Sequence, residues 1–323
     1  MEEAEKYLRR YGEPLTLRGL FYVLVAKGVV PNTRSAYKRL SMVLAKARYG
    51  GEFPWHLLKD VTRRTYYLEK TTYYPTRPLG REEILRIVEE YIQRHFDVTL
   101  NPWEDQPKRV IVVVEKEALG DLVVSFIREV FEHGVYQVRV IKGYDSATDV
   151  KKVADDVELI CRLGKQPVIL QLGDFDPSGE DIVRDFRERV RMLSNCKNIV
   201  FEKVAVTIDQ IIELGLPPKP ESVEEINKLK RDPRYPKYVR KLLEDEKARK
   251  LAEKFGGLVR VELDALVSLR PEEFKKILKS AIEKHFDYNV YREKTLPKME
   301  KLKKKAEEIK RKSLENLRAM LNL

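Results

Sequence analysis

Residues 168–193 read VILQLGDFDPSGEDIVRDFRERVRML. A short apolar run stops at Gly173 and two aspartates one residue apart, then enters a Pro-Ser-Gly turn. Bounded this way, the run predicts a buried strand, and a helix is expected from about 179 to 193. The same strand-then-helix order is expected at RVIVVVEK with a helix near 119–132, and at VYQVRVIKG with a helix near 146–163. Further strands are expected at NIVFEKVAV and GLVRVEL, and LPPKPESVEEINKLKRDPRYPKY between them reads as an irregular excursion. Apolar strands alternating with helices of this length predict an α/β domain with a doubly wound, mainly parallel sheet covered on both faces.

In that arrangement the ends of the strands matter most. Asp174 and Asp176 are two apart in extended backbone and aim to one side. Glu115 closes a second strand, and all three acids are expected in the crevice at the carboxyl ends, where such sheets hold ligands. Neighbouring carboxylates repel unless a cation lies between them, and three hard oxygen donors suit Mg²⁺. The same residues also suit a structural role, with Asp174 capping the turn, Asp176 or Ser178 capping the helix, and Glu115 pairing with a lysine.

Upstream of the sheet the pattern is different. Residues 2–11 read as a short helix. Residues 16–27, TLRGLFYVLVAK, place Leu17, Leu20, Phe21 and Leu24 on one helical face, with Thr16 as N-cap and Gly28 as stop. Arg18 and Tyr22 share a face about 100° from that stripe. A guanidinium there can hold a phosphate beside the phenol, which makes Tyr22 a candidate nucleophile as well as a packing residue. The next helix starts at Asn32 or Thr33, with Ala36, Tyr37, Leu40, Val43, Leu44 and Ala47 inward. Arg34, Lys38, Ser41 and Arg48 lie on its other face, flanked by Arg39 and Lys46. VTRRTYYLEKTTYYPTRP then alternates like a strand pair, with Arg63 and Arg64 in the ribbon. Helix, turn, basic helix and ribbon predict a CAP-like winged-helix domain that meets DNA through these cations.

A helix near 81–97 and the linker DVTLNPWEDQPK join the two regions, and Met299, Leu302, Ala306 and Ile309 predict a basic amphipathic helix near the C-terminus. The expected domains are therefore 1–100, 109–290 and 291–323. Charge supports the division: residues 1–80 carry 15 Lys and Arg against 7 Asp and Glu, residues 292–323 carry 11 against 5, and residues 109–291 carry 33 of each. A basic excess confined to the ends of a chain with net charge +11 suits a polyanion partner.

The composition excludes several classes. Two cysteines, Cys161 and Cys196, are too few for a disulfide framework or a cysteine zinc site. GxxxxGK[ST], GxGxxG after a strand and HExxH are absent, which removes the usual nucleotide-driven and zinc-protease readings. A charged N-terminus and no apolar run near the roughly 20 residues of a membrane span predict a cytoplasmic protein without a membrane partner.

Taken together, these segments resemble the A subunit of topoisomerase VI and the related meiotic double-strand-break transesterases. VVVEKEAL and GDFDPSGEDI resemble the acidic motifs of a Toprim domain, and IKGYDSAT and VELDALVSLRPEEFKKILKSAI resemble further parts of it. LTLRGLFY resembles the nucleophile motif of the winged-helix domain. The likeness covers about residues 14–290 and is greatest to compact, stand-alone members. It implies Tyr22 as nucleophile, Arg18 as its phosphate-binding neighbour, and Glu115, Asp174 and Asp176 as Mg²⁺ ligands. It also implies a homodimer in which the tyrosine of one subunit meets the metal site of the other, double-stranded DNA as substrate, and a separate ATPase subunit as a possible partner. Two other readings stay open at this point, a metal-dependent nuclease that activates water and a DNA-binding protein that cuts nothing.

Overall fold

The computed structural model describes residues 2–11, 14–58, 79–95, 99–141, 147–220, 223–255 and 258–321. The expected ribbon with Arg63 and Arg64, and the IKGYDSAT segment from 142 to 146, lie outside them. In chain order the helices are α1 (Glu2–Tyr11), α2 (Leu17–Ala26), α3 (Arg34–Tyr49) and α4 (Arg81–His95). Then β1 (Lys108–Val114), α5 (Glu117–Val130), β2 (Gln137–Val140), α6 (Ala147–Arg162), β3 (Gln166–Leu172), α7 (Pro177–Leu193) and β4 (Val200–Ala205) alternate. The helices α8 (Ile208–Glu213), α9 (Val223–Lys230), α10 (Tyr235–Glu244), α11 (Glu246–Lys254), α12 (Leu263–Leu269) and α13 (Pro271–Glu283) follow. A one-turn α14 (Tyr288–Val290) and the long α15 (Leu296–Leu321) end the chain.

The chain divides into two compact units that are not consecutive in sequence. One comprises Met1–Arg63 and Pro107–His285, the other Arg64–Gln106 and Phe286–Leu323. In the second, α4 packs with α15, where Arg318 donates to Glu89 at 2.6 Å, and Trp103 meets Phe286 edge to face.

In the first unit the four strands form one all-parallel sheet in the order β2-β1-β3-β4. The strands β1 and β3 are almost wholly buried, as the interior of a parallel sheet requires. On one face Ile111, Val113 and Ile169 pack with Val153, Val157 and Ile160 of α6 and with Phe186 and Val190 of α7. Cys161 of α6 and Cys196, just beyond α7, are joined as a disulfide with their Cα atoms 6.0 Å apart. The opposite face carries α5 and α13, whose Phe126 and Phe274 rings stand 6.2 Å apart.

Two expectations fail. Of GLVRVEL, the described residues 258–263 form no strand: Val261 makes only an isolated antiparallel bridge with Phe175, and α12 begins at Leu263. Val259 and Val261 are buried, and the chain enters α12 directly after the bridge instead of extending the sheet. The supposed irregular excursion contains α9 and the start of α10; Pro236 does not prevent the latter, since it sits in the first turn, where a missing N–H costs nothing.

The N-terminal helices pack on the sheet unit through α2 and α12. Thr16 caps α2 by accepting from the Gly19 N–H at 3.0 Å, and Thr33 caps α3 in the same way through Ala36. Leu20, Val23 and Leu24 of α2 join Leu44 and Ala47 of α3 and Leu8 of α1 in one core. Val43, expected inward, is exposed, as is Met42 beside it. The crossing of α2 and α12 is close at Gly19, where an added Cβ would lie 2.2 Å from the buried Ser268 Oγ. Gly19→Ala is expected to lose about 1–3 kcal/mol through overpacking. A urea midpoint no lower than that of the unaltered protein would show that the contact relaxes freely.

Candidate active site

The bridge between Phe175 and Val261 decides what surrounds the acids. Its two backbone hydrogen bonds, 2.8 and 3.0 Å, lay residues 260–264 alongside 174–176 at the carboxyl end of β3. Asp174 Oδ1 accepts the Leu263 N–H at 2.8 Å, and Glu115 Oε2 accepts the Asp174 N–H at 3.0 Å. Glycine is required at two places in this corner. A Cβ on Gly173 would stand 2.7 Å from Glu115 Oε2, and one on Gly179 would stand 2.5 Å from the Asp174 carbonyl oxygen.

The three expected acids share the corner, each with its own partner. Asp176 caps α7, its Oδ1 accepting the Gly179 N–H at 2.7 Å, while Oδ2 pairs with Arg260 at 3.1 Å. Asp174 Oδ2 pairs with Lys116 Nζ at 3.1 Å. Burial, followed by the charge of Asp174, pushes the Glu115 carboxyl up to about 7, and burial likewise raises Asp174 against the pull of Lys116. Among the described residues, no group of three or more His, Cys, Asp or Glu side chains is disposed to hold a metal ion.

Lys116 is the centre of a larger cluster. Its Nζ lies 2.7 Å from Asp264 Oδ2, 3.1 Å from Asp174 and 3.7 Å from Glu262 Oε1. Burial opposes the ammonium, but the charges of Asp264, Asp174 and Glu262 outweigh it and hold the pKa above its usual value. Asp264 also accepts from Thr16 Oγ1 at 3.3 Å, which ties the cluster to the start of α2.

Glu262 receives Tyr22 and Arg18. The Tyr22 hydroxyl donates to Oε2 at 2.7 Å, and Arg18 Nε lies 3.2 Å from the same oxygen. Lys219 Nζ approaches Oε1 at 3.3 Å. Burial alone would raise Glu262, yet Lys116, Lys219 and Arg18 bring it down to about 2, so it is ionised at neutral pH. Tyr22 is fully buried, and burial followed by the Glu262 charge and hydrogen bond raises its phenol far above the ordinary value, with Arg18 opposing. Arg18 also lies 4.3 Å from the centre of the Tyr37 ring of α3. In this conformation Tyr22 is a neutral donor closed off from solvent.

The spacing that selected Arg18 and Tyr22 therefore corresponds to a shared partner, one that sequence reasoning did not name. Lys116, Lys219, Arg260, Glu262 and Asp264 were all missed. A usable signal existed: VELDAL places two acids two residues apart, as GDFDPSG does, and Lys116 adjoins Glu115. Of the expected DNA contacts, Lys38, Arg39 and Lys46 are exposed on α3 and Arg48 is half-buried. Arg34 pairs with Glu225 of α9 at 2.8 Å.

Comparison with family models, curated proteins and solved structures gave no match. Among the described residues, no helix is long and apolar enough to cross a membrane.

Proposed function

We propose that the protein is a DNA transesterase of the type IIB topoisomerase A-subunit kind, with an N-terminal winged-helix domain, a Toprim-type sheet domain, and Tyr22 as nucleophile. The observation that carries the reading is the meeting of Tyr22 and Arg18 with Glu262. Two segments some 240 residues apart are thereby joined at the carboxyl end of a parallel sheet, beside Asp174 and Lys116. In the proposed reaction the Tyr22 oxygen bonds to a backbone phosphorus and the P–O3′ bond breaks. The phenol loses its proton, the 3′ oxygen gains one, and the 5′ phosphate stays on the tyrosine. The link conserves the phosphodiester energy, so the break can be resealed. Two subunits would cut both strands, and for one subunit's tyrosine to reach the other's acids Tyr22 would have to leave the Glu262 of its own chain.

Arg18 supplies the positive charge that orients the phosphate. Glu262 holds the phenol neutral and buried, so attack requires this contact to open first. The donor types suit Mg²⁺, but in this conformation Asp174 and Asp176 face Lys116 and Arg260, so an ion would have to replace those cations. Glu115, Asp174 and Asp176 are hard carboxylates, and the crowding that raises Glu115 is what a divalent ion relieves. These three residues would hold the ion, which when bound screens phosphate charge.

The test is incubation with supercoiled plasmid and Mg²⁺, followed by a search for protein on 5′ ends. Tyr22→Phe is expected to abolish the adduct. Cleavage without an adduct, or cleavage that survives Tyr22→Phe undiminished, would exclude the tyrosine mechanism and leave a nuclease. A second reading, a DNA-binding protein that cuts nothing, is favoured by the burial of Tyr22 and by the cations already placed on Asp174 and Asp176. It predicts salt-dependent DNA binding with neither cleavage nor adduct.

A further inference from the structure

A cleft of about 580 Å³ opens between α7 and α10, beginning at Pro177, the residue after Asp176. Two basic rows line it. Arg184, Arg187 and Arg191 of α7 recur at steps of three and four, and Lys237 and Arg240 of α10 follow Arg234 at steps of three. Rows with this spacing present their charges along one helical face, so both helices turn cations toward the same space.

Internal pairing removes only part of that charge. Arg184 is matched by Asp181 at 2.8 Å and Glu188 at 2.6 Å, Arg234 by Asp232, and Glu180 by Lys203 of β4. Arg187, Arg191, Lys237 and Arg240 have no carboxylate within ion-pair reach among the described residues, and of the acids lining the cleft only Glu244 is left over. Arg187 and Arg191 are further constrained, because both guanidinium groups lie over the ring of Phe201, at 5.7 and 5.1 Å from its centre. Arg187 is also held by its Nε–H donating to Gln171 Oε1 at 2.9 Å. Two like charges over one aromatic ring repel each other; burial lowers the Arg187 pKa most, Glu180 opposes it, and Arg191 adds a smaller lowering. An anion between them relieves that repulsion and matches the planar donors of arginine.

We infer that this cleft is a second phosphate-binding site, which takes the backbone of a nucleic-acid strand between Arg187 and Arg191 on one wall and Lys237 and Arg240 on the other. The volume is that of a small-ligand site, enough for a short length of single strand. A strand is favoured over a free nucleotide because the cations extend along two helices instead of converging on one point. The site is separate from α3, where the DNA contacts were expected, and does not rest on the transesterase reading.

The test measures binding of a fluorescent single-stranded oligodeoxynucleotide by the full chain across a series of salt concentrations. Replacing both Arg191 and Arg240, which are exposed, by glutamine is expected to weaken binding about tenfold and to reduce the slope of log K against log salt by about 1.4. Arg187→Gln is expected to act in the same direction, but it also loses the Gln171 contact, so its melting curve is compared with that of the exposed pair. Unchanged affinity and slope in the exposed double variant would overturn the proposal. So would pyrophosphate binding that the double variant weakens while the oligonucleotide does not bind, because the site would then serve a small phosphorylated ligand. Adduct formation on plasmid is scored separately, so loss of the Tyr22 mechanism leaves this result intact.

Discussion

Replacing Lys116 by methionine is expected to destabilise the protein by about 3–5 kcal/mol, because removing one partner of a buried ion cluster leaves the others charged and uncompensated. The side chains of Asp174, Glu262 and Asp264 are 8%, 6% and 4% exposed. Glu262 keeps Arg18 and Lys219 after the change, but Asp174 and Asp264 have no other ion pair among the described residues. Methionine fills much of the space of the lysine stem, so the loss reports charge more than volume. Lys116→Arg keeps the charge and is expected to lose less. Adding Asp264→Asn to Lys116→Met is expected to cost less than the sum of the single changes, since the second removes a charge that the first has stranded. Urea unfolding of the unaltered protein, the three single variants and the double variant measures these differences. Strict additivity, or a Lys116→Met midpoint equal to that of the unaltered protein, would show that the ammonium does not hold the acids together.

This cluster also shows which parts of the protein can be read from sequence. The strands β1 and β3 are legible because burial on both faces leaves an uninterrupted apolar run, and Thr16 and Thr33 are legible because an N-cap is a local event. The acids at the strand ends are legible through spacing. Their partners are not, because Glu262 reaches Tyr22 across 240 residues through the bridge of Phe175 with Val261, and nothing local in GLVRVEL distinguishes one bridging residue from a strand. The burial of Tyr22 was hidden for the same reason. A helical wheel places it away from the stripe of Leu20 and Leu24, and it is α12, packing on that second face, that closes it off. Val43 is the converse case, an apolar residue at inward spacing that stays exposed because no described element covers it.

The second large effect is expected at Glu115, and it has the opposite sign. Its carboxyl titrates near 7 in the folded protein, against an ordinary value of 4.5, with burial and then the Asp174 charge as causes. Below the ordinary value the group is protonated in both states and affects stability little. As pH rises through 4.5 the unfolded chain loses its proton while the folded protein keeps it, so stability falls until the folded group also ionises, near 7. Above that point the full penalty remains, about 3 kcal/mol for a shift of this size. Glu115→Gln removes it, because a neutral amide can still accept the Asp174 N–H through its carbonyl oxygen. The variant is therefore expected to match the unaltered protein near pH 4 and to exceed its stability by about 3 kcal/mol near pH 8, read from urea unfolding at both pH values. Mg²⁺ should narrow the difference. An ion held by Glu115, Asp174 and Asp176 stabilises the carboxylate form through mass action, so the unaltered protein should gain stability with Mg²⁺ at pH 8 and the glutamine variant should gain less. A glutamine variant no more stable at the higher pH would show that Glu115 is not crowded by its neighbours. Equal Mg²⁺ responses would remove it from the proposed metal site, and the carboxylate would then be an electrostatic cost without a function to explain it.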